Sequence, residues 1–140
     1  MLPLLADRET VFFSNTVGRV VFHSVGYVRL AWSAERFTLP ELQAFYEQAL
    51  QLLSSVGVGR ILSEHGQRQP LPTAAQQWLI NDWIPRAIGR GVHYCAIVEG
   101  HDPMHRLSTQ GVVSSAPRGL VFGRFQDRAS AEAWLLRQAK

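Results

Sequence analysis

Ser63, Glu64, His65 and Gly66 stand in a row after the apolar pair Ile61-Leu62. Glu99, Gly100, His101 and Asp102 form a second row after a longer apolar run, residues 92–98. These residue types bind ligands, move protons or hold metals. A histidine beside a carboxylate is a general acid–base pair, and His65 with Glu64 or Glu99 offers one. His65, Glu99, His101, Asp102 and His105 include the donor types of a divalent-metal set. His101 and His105 are four apart, the spacing that puts two side chains on one helix face. Asp102-Pro103 signals a helix start between them, which breaks that geometry. No recognised metal motif, nucleophile elbow, phosphate-cradling glycine loop or paired-carboxylate signature is present. Gly57-Val58-Gly59 is followed by a strand signal, not a helix, so it is no dinucleotide fingerprint. The expectation is no catalytic set, no resident metal and no cofactor. Ser63, Glu64, His65, Glu99, His101 and Asp102 are the candidate ligand-binding group.

Composition narrows the function classes. The chain has 140 residues, 46% apolar and 18% charged, which is globular rather than disordered. A chain of this length fits one domain. Its net charge is only +3. Every cation but Lys140 is an arginine, and the arginines are spread from Arg8 to Arg137. Nucleic-acid binders concentrate them on one face, so no nucleic-acid partner is expected. No run of about 18 apolar residues exists, so no membrane span is expected. Residues 1–7 lack the basic start and long apolar run of a secretory signal, which makes the cytoplasm the expected compartment. Cys95 is the only cysteine, which excludes an intrachain disulfide and a thiolate-rich metal site. It sits in the apolar run and reads as a buried structural thiol.

The elements that must position the two polar rows follow from periodicity. Residues 10–14, 19–24 and 27–32 are β-rich and read as antiparallel strands. Thr38-Leu39-Pro40-Glu41 is a capping box, and Leu42, Phe45, Tyr46, Ala49, Leu52, Leu53 and Val56 follow as one apolar stripe. Residues 60–63 read as a short strand. Thr73 to Gln76 reads as a second capping box, with Pro85 bending or breaking the helix it opens. Trp78 and Trp83 are five apart, about 140° around an α-helix, so they cannot both face the core. One of them is therefore a candidate interface residue, and Asp82 a candidate partner for an indole N–H. Residues 92–98 read as a central strand. A helix over about 104–115, a strand over 120–125 and a helix capped by Asp127 complete the chain. Ala129, Ala133, Trp134 and Leu136 are its expected packing side. The fold class is α/β: a mixed sheet with N-terminal antiparallel strands, then alternating helices and parallel strands.

This order resembles the STAS-like, or SpoIIAA-like, fold of anti-sigma-factor antagonists, most of all an uncharacterised bacterial branch of small single-domain proteins. The resembling segments are 27–32, 61–63, Trp78 to Ala87, 91–96 and Phe125-Gln126-Asp127 with Ala133-Trp134-Leu135. The resemblance covers nearly the whole chain, 11–138, with 1–9 as an N-terminal tail. The resemblance implies a non-catalytic regulatory module acting through protein partners or self-association as a homodimer. The regulatory members carry an Asp at the end of the central strand, and a phosphorylated serine opening the next helix. Here Ser63 stands near the first position and Thr73 is the nearest hydroxyl to the second, where a helix cap accounts for it. The alternative is a small-ligand-binding protein or enzyme. Ligands in open α/β sheets bind outside the carboxyl ends of parallel strands. Both polar rows belong to that edge.

Overall fold

The β-branched and aromatic runs pair into one sheet of six strands in the order β1-β2-β3-β4-β5-β6. The computed structural model describes residues 8–138. The apolar segment 1–6 and Lys140 lie outside the described residues. The strands are β1 (Glu9–Ser14), β2 (Gly18–His23), β3 (Tyr27–Trp32), β4 (Arg60–Glu64), β5 (Tyr94–Val98) and β6 (Val121–Phe125). Glu9, which the sequence assigns to the tail, opens β1. The first three strands pair antiparallel. From β3 onward each neighbour is parallel. Parallel neighbours need long crossovers, and the helices supply them. The mixed α/β sheet expected from the sequence is the sheet observed.

Helix α1 (Leu39–Val56) begins at the predicted capping box. Glu41 N–H donates to Thr38 Oγ1 at 3.3 Å, and Thr38 N–H donates to Glu41 Oε1 at 2.8 Å. Gly57, at φ 70°, ends it by donating its N–H to Leu53 O. The stripe from Leu42 to Leu53 is buried, whereas Val56 is exposed.

The next helical segment corrects three expectations. It comprises α2 (Thr73–Trp78), a π-helical turn (Leu79–Trp83) and α3 (Ile84–Gly89). Its N-cap is Pro72, and no side chain caps it. Thr73 therefore lies inside the first turn, and Gln76 turns its amide to Leu71 O. The π turn precedes Pro85, whose ring cannot sit against an i−4 carbonyl. Ile84 N–H bonds Leu79 O, five residues back. The widened turn swings Trp83 back to the side of Trp78. Both rings now meet Tyr46, at centroid distances of 6.2 and 4.8 Å. Trp83 is buried and its indole N–H donates to Tyr46 O. Trp78 is half-buried against the same core. Asp82 bonds Arg86 instead of an indole.

Helices α1 to α3, with α4 (Pro103–Ser115), join one core against one face of the sheet. Among the described residues, helix α5 (Arg128–Arg137) alone covers the other, through Ala131 and Leu135 against Tyr27, Leu62 and Ala96. The helices thus occupy two faces, unequally. Asp127 caps α5 as expected. Of the expected packing side, Trp134 packs against the core on the α5 face, whereas Ala129, Ala133 and Leu136 are exposed. Apolar residues stand at most positions from 129 to 136, so the pattern selects no face.

Candidate functional site

The carboxyl ends of β4 and β5 bring part of the two polar rows together and separate the rest. Strand alternation sends Ser63 to the α1–α4 face and Glu64 to the α5 face. There Glu64 bonds Arg29 at 2.8 Å. The ladder continues one residue past β4, where His65 N–H donates to Val98 O. A turn follows, with Gly66 at φ 56° and Arg68 N–H donating to His65 O. This turn folds Arg68 back over the sheet edge. Helix α4 then presents His105, Ser108, Thr109 and Val112 on one buried face. Ser108 Oγ accepts Leu71 N–H and donates to His105 O, tying the loop to the helix.

The result is a continuous buried chain of polar contacts. Trp32 Nε1 donates to Ser63 Oγ at 2.9 Å. Ser63 Oγ meets His65 Nε2 at 3.0 Å, and His65 Nδ1 meets His105 Nε2 at 2.9 Å. Arg68 Nε donates to His105 Nδ1 at 3.2 Å, and Arg68 Nη2 donates to Thr109 Oγ1 at 2.7 Å. The Arg68 guanidinium also lies 4.7 Å from the centre of the Trp32 ring, a cation–π contact. Gly100 admits the His105 ring: a Cβ there would stand 2.7 Å from Gly66 O and 3.0 Å from His105 Cδ2.

Arg68 sets the direction of the chain. It can only donate, so His105 Nδ1 is an acceptor and the ring proton is on Nε2. His105 Nε2–H then donates to His65 Nδ1, and His65 Nε2–H donates to Ser63 Oγ. Both rings are neutral. Burial, then the charge of Arg68, holds His65 well below the ordinary 6.5. The same two causes take His105 down to about 4. Ser63 receives two donors, so its own proton points elsewhere. That orientation is the reverse of an activated serine, whose histidine must accept.

His65, Glu99 and His105 also carry the donor types of a two-histidine, one-carboxylate metal set, with ligand atoms within 4.8 Å of one another. Their neighbours oppose it. A ligating histidine passes its other N–H to an acceptor, whereas His105 faces the donor Arg68 there. Glu99 Oε2 is held by Arg124, and Glu99 Oε1 is buried without a hydrogen-bond partner. Of the remaining candidates, His101 and Asp102 are exposed and line a depression outside Arg68. Asp102 precedes α4 without a side-chain cap bond. Thr73 is exposed.

Behind Ser63, His65, Arg68 and Thr109 lies a cavity of about 50 Å³. Its walls are apolar, among them Leu30, Ile61, Leu79, Ile97, Val112 and Phe122, and Tyr46 and Cys95 also line it. Arg68 is 4% exposed, and among the described residues no carboxylate forms an ion pair with it. Burial lowers its pKa to about 10, which leaves it charged at neutral pH. Arg68 and Thr109 are absent from the candidates the sequence offers, and His105 enters there only as a metal donor. One signal was present: 105, 108, 109 and 112 have the spacing of a buried helix face, and three of the four are polar. No family model matches the sequence, no curated protein matches it, and no solved structure matches it.

Proposed function

We propose that this chain is a small-molecule-binding domain. The carrying observation is the cavity of about 50 Å³ between sheet and helices, apolar in its walls and polar at one end. Ligand pockets combine an apolar lining with a few convergent polar groups. A water needs roughly 10–15 Å³ of such space, so the volume of about 50 Å³ accepts a molecule of about three to five non-hydrogen atoms. The site lies at the carboxyl edge, where α/β sheets bind ligands. The reversed proton order at Ser63 favours binding over nucleophilic chemistry. The STAS-like regulatory reading rests on the shared element order and on no feature of this cavity.

A panel of small organic molecules, followed by amide shifts and thermal unfolding, tests the proposal. Binding to the folded state raises the melting temperature. Shifts are expected at Ile97, Thr109 and Val112. A panel that moves none of these amides and raises no melting temperature rejects the function.

A further inference from the structure

We infer that the occupant of the cavity is a small aliphatic carboxylate, taken as its anion by Arg68 and the hydroxyls beside it. This rests on the small-molecule reading above and adds the chemical class. The polar end of the cavity presents donors. A guanidinium has five N–H groups. Arg68 uses one on His105 and one on Thr109. Two on Nη1 and one on Nη2 have no partner among the described residues, and they form the edge that grips a carboxylate through both oxygens. Ser63 Oγ is filled by two donors, so it has only its proton to offer. Thr109 Oγ1 accepts from Arg68, and its proton has no acceptor among the described residues. Tyr46 lines the same space, and burial holds its phenol protonated.

An acceptor-only partner fits this set. A neutral amide would bring N–H groups against donors. A phosphate would set extra charged oxygens against Leu30, Ile61 and Val112, which line the wall. One cation with no ion-pair partner among the described residues matches one negative charge. The apolar wall takes a short alkyl tail.

The test titrates the full chain with propionate, propionamide, inorganic phosphate and Zn²⁺, read by calorimetry and by histidine ¹⁵N shifts. Propionate is expected to bind at least about tenfold tighter than propionamide, the scale of a charged hydrogen-bond pair. Arg68→Met is expected to erase that preference. Thr109→Val is expected to weaken propionate severalfold, and it serves if Arg68→Met does not fold. Equal binding of propionate and propionamide overturns the carboxylate assignment and leaves the small-molecule reading standing. Binding of neither, with no response to other small molecules, overturns both. Phosphate tighter than propionate overturns the class. Stoichiometric Zn²⁺ with shifts at His65 and His105 overturns the proton order on which the donor argument depends.

Discussion

If His65 and His105 are both buried and neutral, the fold must lose stability in weak acid. Both have pKa values below the ordinary 6.5, His105 at about 4 and His65 well below the unfolded value. The unfolded chain takes up protons as pH falls through 6.5, while the folded chain refuses them. For groups with lowered folded pKa, the contribution is fully present above 6.5 and is lost as pH falls. One unit below, at pH 5.5, each refused proton costs about 1.4 kcal/mol. Two histidines cost about 3 kcal/mol, a large part of a stability of roughly 5–15 kcal/mol. Carboxylates do not confuse this window, since Glu9 is held down at about 2 by its bond to Arg29 and acts only in stronger acid. Urea unfolding between pH 7.5 and 5.5 gives the slope directly, and the double variant His65→Gln, His105→Gln gives the baseline. Equal pH dependence in the double variant and the parent would refute the neutral buried pair. The tautomer order would lose its foundation with it.

Three further outcomes follow from the same contacts. Gly100→Ala places a Cβ 2.7 Å from Gly66 O, and overpacking of this kind costs about 1–3 kcal/mol; an unchanged urea midpoint would contradict the close approach. Arg29→Met strands Glu64 beside the sheet, leaves Glu9 with Arg128 alone, and should cost about 2–3 kcal/mol, less than a fully buried pair because both acids are partly exposed. The Glu9 contribution, present above pH 4.5 and lost as pH falls toward about 2, should shrink with it, as acid unfolding of the variant would show. Cys95 is buried, and burial raises its thiol to about 12, so a thiol reagent at pH 8 should modify it only after unfolding.

Most of the fold was legible because each cue was local. The box at Thr38 and Glu41, the stripe from Leu42 to Leu53 and the parallel order of β3 to β6 all follow from residues near one another in sequence. The failures involve competition between cues. Thr73 and Gln76 have the spacing of a cap, yet Pro72 takes the cap position and Gln76 finds Leu71 O. Trp78 and Trp83 are separated by an α-helical angle that the π turn abolishes, and nothing in a period of 3.6 announces a five-residue bond. At the site, Ser63, His65 and Glu99 were legible as ends of strands. Glu64 and His101 share their rows but not their surroundings. Arg68 was illegible because its burial depends on a turn and on a helix some forty residues on.

The two buried arginines show how the fold treats charge on its two faces. Arg29 and Arg68 have nearly the same exposure, 7% and 4%. On the α5 face, Arg29 is met by both oxygens of Glu9 and by Glu64, and Glu9 reaches Arg128 as well. That network is closed, and a closed network has no use for a ligand. On the opposite face, Arg68 receives a neutral ring, a hydroxyl and the face of Trp32, none of which carries the opposing charge. A buried cation is costly unless an anion compensates it. Glu99, whose charge acts on Arg68 from a distance, is engaged with Arg124. A sequence that supplies two carboxylates to one buried arginine and pairs none with the other has left a place for an anion. That place opens on a cavity rather than on packed side chains. Arg68→Met should then raise the stability of the ligand-free chain while abolishing the preference for propionate. A purely structural Arg68 would lower stability when replaced and leave ligand preference untouched, so each of the two measurements separates the roles.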